Sequence, residues 1–189
     1  GNLLQQCYNL ADTWVVGRFL GSNALAAVGS SYTLMVFLTS ILLGLCMGSG
    51  AAFSICYGQQ DRERLRCSIF TAFSFIALLT VILNAVVYLL LGPIIRLLQV
   101  PVEVVPLMQD YLRIIFAGIS ATFFYNFCSN LLRAVGDSLT PLIFLAVSSV
   151  LNIVLDLVFV LVIPWGVKGA AFATVLSQFV SGLGLLAYT

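Results

Sequence analysis

The chain has 189 residues, of which 61% are hydrophobic and 8% are charged, and its formal net charge is +1. A soluble domain carries about 25% charged residues and about 45–50% apolar ones, so this composition excludes a water-soluble globular protein. The mean hydropathy of +1.12 predicts an all-α integral membrane protein surrounded by membrane lipid. The charges are balanced and form no basic patch, so we expect no nucleic-acid partner.

The residue types that are scarce narrow the chemistry further. The chain contains no histidine, which excludes His-based triads, histidine general bases and HExxH metal sites. There is no CxxC pair, and we expect all five cysteines to be reduced and to pack as small hydrophobic side chains. They are Cys7, Cys46, Cys56, Cys67 and Cys128. We expect no resident cofactor. The chain starts at Gly1 inside an apolar stretch, which predicts a fragment whose beginning is missing.

The apolar runs predict six transmembrane helices, because each crossing of the bilayer needs about 20 apolar residues. In chain order they are residues 3–20, one helix within 19–60, then 68–91, 111–132, 141–163 and 169–188. We interpret the long second run as a single helix entered through a loop near 21–23. The connections contain turn and helix-stop residues and lie at 58–66, 92–110, 133–140 and 164–168. We expect a short interfacial helix within 92–110.

Two acidic residues lie well inside predicted spans, Asp12 in the first helix and Asp156 in the fifth. A carboxylate in the middle of a membrane helix costs about 2.5–3.5 kcal/mol on insertion scales, and such residues usually line cavities or ion paths. The two helices run in the same direction, since an even number of crossings separates them. From the distance to each span end, both acids lie roughly 12–13 Å below the same membrane face.

Polar neighbours share the faces and the depth of these acids. Helical spacing places Ser149 and Asn152 beside Asp156, and Gln5 and Asn9 beside Asp12. In the sixth helix, Thr174 lies at about the same depth. Asp12, Asn152, Asp156 and Thr174 would form an all-oxygen site suited to a hard cation or to proton exchange between carboxyls. Alternatively, the polar groups only hydrogen-bond between packed helices.

Other polar and small residues are interpreted as structural. The polar face of the fourth helix is expected to serve packing and snorkelling, through Thr122, Asn126, Ser129 and Arg133. Two small-residue motifs are expected to permit close helix approach, Gly17-x-x-x-Gly21 and Gly44-x-x-x-Gly48. Arg18 and Arg113 lie near predicted span ends and are interpreted as interface anchors.

Five stretches, in this order and spacing, give the chain a family resemblance over essentially its whole length. They are NLLQQCYNLADTWVVGRFLGSNALAAVG (2–29), YGQQDRERLR (57–66), LLRAVGDSLTPL (131–142), LNIVLDLVFV (151–160) and GVKGAAFATVLSQ (166–178). The chain resembles the amino-terminal half of the multidrug and toxic compound extrusion (MATE) transporters. The resemblance implies that residues 1–189 form one six-helix lobe of a twelve-helix antiporter, without the start of the first helix and without the carboxy-terminal lobe.

The resemblance also implies a function. MATE transporters export organic cations and other amphipathic xenobiotics in exchange for H⁺ or Na⁺, and the expected location is the bacterial cytoplasmic (inner) membrane. The family's amino-lobe cation site corresponds here to Asp12, Asn152, Asp156 and Thr174, with Na⁺ as the candidate metal, and Ala170 corresponds to a backbone carbonyl ligand. The loops at 58–66 and 133–140 are expected to be cytoplasmic.

Three other functions remain as alternatives. A lipid-linked oligosaccharide flippase of the same superfamily predicts basic residues lining the cavity, whereas the spans here contain acids. A membrane enzyme would use the two carboxylates for acid–base chemistry, but the sequence has neither histidine nor a phosphate-binding motif. A helical scaffold would not need the paired acids.

Overall fold

The computed structural model describes the backbone of residues 2–188 and the side chains of residues 9–188. Every element in this part of the chain is a helix, which confirms the all-α prediction. The helices are α1 (Asn2–Phe19), α2 (Ser22–Gly58), α3 (Arg62–Leu97), α4 (Val105–Ala117), α5 (Ile119–Ala134), α6 (Leu139–Leu157) and α7 (Val167–Tyr188). A π-helical turn (Val158–Val162) continues α6. As predicted, α2 is a single long helix of 37 residues.

The chain is a multi-pass integral membrane protein. Among the described residues, four helices are long and apolar enough to cross a membrane, namely α2, α3, α6 with its π-helical turn, and α7. α4 and α5 meet at an angle of 43° and count as a fifth crossing if they form one bent span. α1 is 18 residues long but contains Asp12 and Arg18, and it does not reach the same hydropathy. The sixth crossing therefore stays a prediction.

The boundaries of α3 differ from the prediction, because hydropathy marks the end of the hydrocarbon rather than the end of the helix. α3 begins at Arg62, where the Asp61 carboxylate accepts a hydrogen bond of 2.9 Å from the Arg64 backbone N–H and caps the helix. At its other end, α3 continues through Pro93 to Leu97. The charged segment predicted as a loop is thus mostly the first turns of a helix.

The predicted interfacial helix within 92–110 is wrong. The end of α3 occupies the first part of this segment, residues 98–104 form the connection, and α4 begins at Val105. α4 buries Met108, Leu112 and Phe116, so its apolar face contacts protein instead of the acyl chains at the membrane surface. The alternation of apolar and polar residues does indicate an amphipathic segment, but the apolar face packs against α2, α3 and α7.

Three apolar clusters hold the described helices together, and the smallest joins α5, α6 and α7. The largest one joins α2, α3, α4 and α5 and contains a group of interacting rings, Phe53, Phe73, Phe123 and Phe127. The second joins α1, α2, α4 and α7 and includes the fully buried Val16, Ala170 and Ala171. α6 packs against both α1 and α7. These contacts bring α1, α6 and α7 together.

The small-residue motifs behave differently from the prediction. A Cβ atom added at Gly17 would lie 3.3 Å from Leu25, so this glycine does allow a close contact between α1 and α2. Gly21 instead has a φ of +88° and ends the turn between these helices. Apart from the neighbouring residues and backbone of their own helix, no described atom lies within 4 Å of a Cβ added at Gly44 or Gly48. Close helix approach at Gly21, Gly44 and Gly48 is therefore a wrong prediction within this part of the molecule.

Candidate cation site

The residues of the candidate site come from three helices that pack against one another. α1 contributes Asp12, α6 contributes Asn152 and Asp156, and α7 contributes Ala170 and Thr174. All five are buried, with Asp156 and Ala170 0% exposed, Asn152 1%, Asp12 6% and Thr174 7%. The structure thus brings together the five residues that the sequence singled out. Their role in binding a cation stays a prediction.

The Thr174 hydroxyl connects α6 to α7. Asn152 Nδ2 donates to Thr174 Oγ1 over 3.3 Å, and the same hydroxyl donates to the Ala170 carbonyl oxygen over 3.1 Å. This chain of hydrogen bonds fixes the amide of Asn152 through its nitrogen. The amide oxygen, Asn152 Oδ1, is buried and accepts no hydrogen bond from the described residues.

The carboxyl groups of Asp12 and Asp156 interact directly across the contact between α1 and α6. Within the described part of the chain, no donor reaches Asp12 Oδ1 or either carboxylate oxygen of Asp156. A buried polar atom without a partner costs about 1–3 kcal/mol, and a charged one costs more. Two adjacent acceptor groups of the same charge are compatible only if a proton or a cation lies between them.

The donor set fits a hard cation or a shared proton. With Asn152 Oδ1, four buried oxygen atoms converge from α1 and α6 without a hydrogen-bond donor in the described chain. Carboxylate and amide oxygens are the ligands that hard cations prefer, whereas zinc and copper favour nitrogen and sulfur. The described residues contain no group of three or more His, Cys, Asp or Glu side chains that could hold a metal ion. A transition-metal centre therefore does not fit this site.

A cavity of about 250 Å³ adjoins the site on the other side of Thr174. Its walls come from α1, α2, α4, α5 and α7, and none of its lining residues is charged. The polar lining residues are Asn9, Tyr32, Thr39, Ser40, Thr122, Thr174 and Gln178. Thr174 therefore belongs to both the site and the cavity wall.

Sequence reasoning did not identify this cavity. Thr122 was assigned to helix packing, and its hydroxyl does hydrogen-bond to Gln178 Oε1 between α5 and α7, but it also lines the cavity. On α2, Tyr32 and Thr39 are seven residues apart and so lie on one helix face, which was the available signal. This face could not be distinguished from ordinary packing without knowing which helices surround it.

The remaining predicted polar residues have local roles or lie outside the described side chains. Ser149 is buried beside Asn152, but its hydroxyl donates to the Leu145 carbonyl of its own helix over 2.8 Å. Asn9 lines the cavity. Gln5 and Cys7 lie outside the residues whose side chains are described, whereas Cys46, Cys56, Cys67 and Cys128 are free thiols.

Comparisons with known proteins agree with this architecture. The MatE family model matches residues 1–158. The chain is 38% identical over 191 residues to the probable multidrug resistance protein YpnP of Bacillus subtilis (strain 168), covering 100% of this chain and 42% of that protein. It is 36% identical over 191 residues to the probable multidrug resistance protein YoeA of the same organism, covering 99% of this chain and 41% of that protein.

A solved structure gives the same result for the fold. The inward-facing conformation of a multidrug resistance MATE family transporter of the MOP superfamily superposes with a TM-score of 0.92 at 30% identity. The superposition covers 97% of this chain and 42% of that chain. The chain thus spans 41–42% of the length of these curated relatives.

Proposed function

This chain belongs to the MatE family of membrane transporters, and from that premise we propose that it forms the lobe of a secondary antiporter that binds the coupling ion. The ion, H⁺ or Na⁺, binds at Asp12 and Asp156, with Asn152, Thr174 and the Ala170 carbonyl completing the site. The single observation that carries this proposal is the convergence of buried, unpartnered oxygen atoms from α1 and α6. No resident cofactor and no enzymatic step are part of it.

Electrostatics explains how ion binding can change the shape of this lobe. Two bare carboxylates in a medium of low dielectric constant repel each other and are poorly solvated. A bound proton or Na⁺ removes this repulsion and allows α1 to pack closely on α6. When the ion leaves, the two helices are driven apart. The ion therefore has different affinities for the two arrangements, which is the condition for shifting their populations.

The shared position of Thr174 links the ion to a substrate in the adjoining cavity. Its hydroxyl is hydrogen-bonded to Asn152 of the ion site, while its side chain lines the cavity wall. A movement of α1 or α6 that follows ion release thus alters the cavity. Because coupling between two ligands is reciprocal, substrate binding in turn changes the affinity for the ion. Ion and substrate are exchanged if the ion favours one arrangement of the helices and the substrate favours the other.

The lining of the cavity indicates the class of substrate. It combines apolar side chains with neutral hydroxyl and amide groups, and it contains no charged side chain. The carboxylates of Asp12 and Asp156, in the adjoining ion site, become available as negative charges after the coupling ion leaves. This arrangement suits an amphipathic organic cation. A lipid-linked pyrophosphate would require basic side chains, so the cavity does not favour the flippase alternative.

Transport by the whole protein requires the second lobe implied by the family resemblance, and the experiment therefore uses the full-length transporter. We would reconstitute it in liposomes and measure efflux of a cationic dye under an imposed pH gradient or Na⁺ gradient. Asp12→Asn and Asp156→Asn should each abolish ion-driven efflux while the protein still inserts and folds. Asp61→Asn is the matched control, because Asp61 is an exposed acid that caps α3, a helix that contributes no residue to the site. Unchanged efflux in Asp156→Asn contradicts the proposal.

A further inference from the structure

Two very close contacts bracket the part of α7 that belongs to the candidate site. Gly169 directly precedes Ala170, and Val175 directly follows Thr174. Gly169 contacts the π-helical turn that follows α6, and Val175 contacts Gly118 at the break between α4 and α5. The site residues of α7 therefore lie within a single helical stretch that is held at both ends.

The contact at Gly169 leaves no room for a side chain. A Cβ atom added there would lie 2.9 Å from both the Cβ and the carbonyl oxygen of Phe159, whereas an ordinary contact is at least 3.4 Å. Phe159 cannot withdraw easily. Its carbonyl oxygen accepts a hydrogen bond of 2.9 Å from the Trp165 backbone N–H, and its ring stacks on that of Trp165 at 5.3 Å.

The π-helical turn that contains Phe159 starts two residues after Asp156, so this contact sets the distance between α6 and α7 next to the carboxylate. Short π-helical segments are rare and are often found at functional sites.

The contact at Gly118 is closer still. A Cβ atom added at Gly118 would lie 2.2 Å and 2.4 Å from the two methyl groups of Val175. Valine is stiff about χ1, so its methyl groups cannot rotate away cheaply. Gly118 lies where the helical path bends by 43° from α4 to α5, and the methyl groups of Val175 fill the space at this bend. The bend therefore fixes the position of α7 on the side of the cavity.

The site has little tolerance for a displacement of α7. The Asn152–Thr174 hydrogen bond is 3.3 Å long, already beyond the usual range of about 2.7–3.2 Å for such bonds. A methyl group at either glycine must push its neighbour away. The distance from the added Cβ to Val175 or Phe159, 2.2 Å or 2.9 Å, has to become at least 3.4 Å, and a shift of this size would break the long Asn152–Thr174 hydrogen bond. Displacement would change the positions of Thr174 and the Ala170 carbonyl relative to Asn152 and Asp156 on α6.

We propose that Gly118 and Gly169 are positioning residues of the cation site, because they allow the two contacts that hold Ala170 and Thr174 against Asn152 and Asp156. This inference rests on the proposed function, since it assigns the two glycines a role in the affinity for the coupling ion. Residues that only orient metal ligands typically affect affinity about 10–100-fold. We expect Gly118→Ala and Gly169→Ala each to raise the half-saturating concentration of the driving ion about tenfold.

The test measures dye efflux by the full-length transporter in liposomes as a function of Na⁺ concentration and, separately, of pH. Gly182→Ala is the matched control, because Gly182 is also a buried glycine of α7 but the nearest atom to its added Cβ, from Phe124, is 3.4 Å away. It should leave the ion dependence unchanged. An equal shift in all three variants overturns the inference, since the effect would then come from general packing of α7.

Two double variants test the contacts themselves. In a Val175→Gly background the clash at Gly118 is gone, so adding Gly118→Ala should shift the ion dependence no further. In a Phe159→Ala background, adding Gly169→Ala should still shift it, because the clashing atoms are the Cβ and the carbonyl oxygen, which alanine keeps. The opposite pattern in either pair contradicts the proposed contact.

If Gly118→Ala or Gly169→Ala does not fold, Val175→Ala is measured instead. This change removes both methyl groups from the space at Gly118 without adding an atom. It should also raise the half-saturating ion concentration, and an unchanged value overturns the inference. Asp156→Asn is measured alongside. If it leaves ion-driven efflux intact, the proposed function fails. If it abolishes efflux while the glycine variants behave as wild type, only the positioning inference fails.

Discussion

Replacing Thr174 with valine removes one hydroxyl group from the contact between α6 and α7 while nearly preserving the shape of the side chain. Asn152 is 1% exposed, so its Nδ2 loses its acceptor and cannot reach water. An unsatisfied buried donor costs about 1–3 kcal/mol, whereas interhelical hydrogen bonds in membrane proteins average about 0.6 kcal/mol and reach about 1.7 kcal/mol. We therefore expect Thr174→Val to lower the free energy of unfolding by about 1 kcal/mol.

The assay is equilibrium unfolding of the purified full-length protein in detergent, followed by helical circular dichroism. Thr80→Val is the matched control, since Thr80 is 3% exposed and its hydroxyl donates to the Ile76 carbonyl of its own helix over 2.7 Å. That change should cost less, because no contact between helices is lost. Thr174→Ser keeps the hydroxyl and should retain most of the stability. Equal losses in Thr174→Val and Thr80→Val would refute the reasoning.

Two further predictions concern the core and a loop. Phe53 is 1% exposed and its ring lies 5.9 Å from that of Phe127, so Phe53→Ala should lower the free energy of unfolding by about 3–5 kcal/mol. Phe70→Ala, at a side chain that is 73% exposed, should change the same unfolding free energy far less. The pKa of Asp137 lies below its usual range, mainly because the Thr140 side chain hydrogen-bonds to its carboxylate. The Thr140 backbone N–H also donates to this carboxylate. Its contribution to stability is therefore present above about pH 4 and lost as the pH falls through the lowered pKa. Unfolding curves at decreasing pH should show a smaller acid-induced loss in Asp137→Ala than in wild type, and identical losses would contradict the assignment.

The features that follow from hydropathy and helical spacing were predictable from the sequence. The chain has few charged residues, and the uncharged runs between them marked the membrane-length helices. Asp12 and Asp156 were expected at the same depth, and the structure buries both side chains on α1 and α6, which pack against each other. Depth in a straight helix depends only on the number of residues from its end, which is why the sequence could suggest this pair. Their depth in the membrane stays a prediction.

Features that depend on which helices are neighbours could not be predicted. The interfacial helix was misassigned because amphipathic spacing shows that a face is buried but not whether protein or lipid buries it. Gly118 and Gly169 were not singled out, since their importance comes from Val175 and Phe159, which lie far away in the sequence or across a turn. The polar lining at Tyr32 and Thr39 was missed for the same reason.

The central claim is that Asp12 and Asp156 bind one coupling ion together. Binding of radioactive Na⁺ to the purified full-length transporter, with release of protons recorded in the same sample, tests it most directly. We predict that wild type binds Na⁺ or, if it uses protons, releases protons when a cationic dye is added. Asp12→Asn and Asp156→Asn should each lose this exchange, while Asp61→Asn keeps it. Wild-type exchange in either site variant would contradict the account.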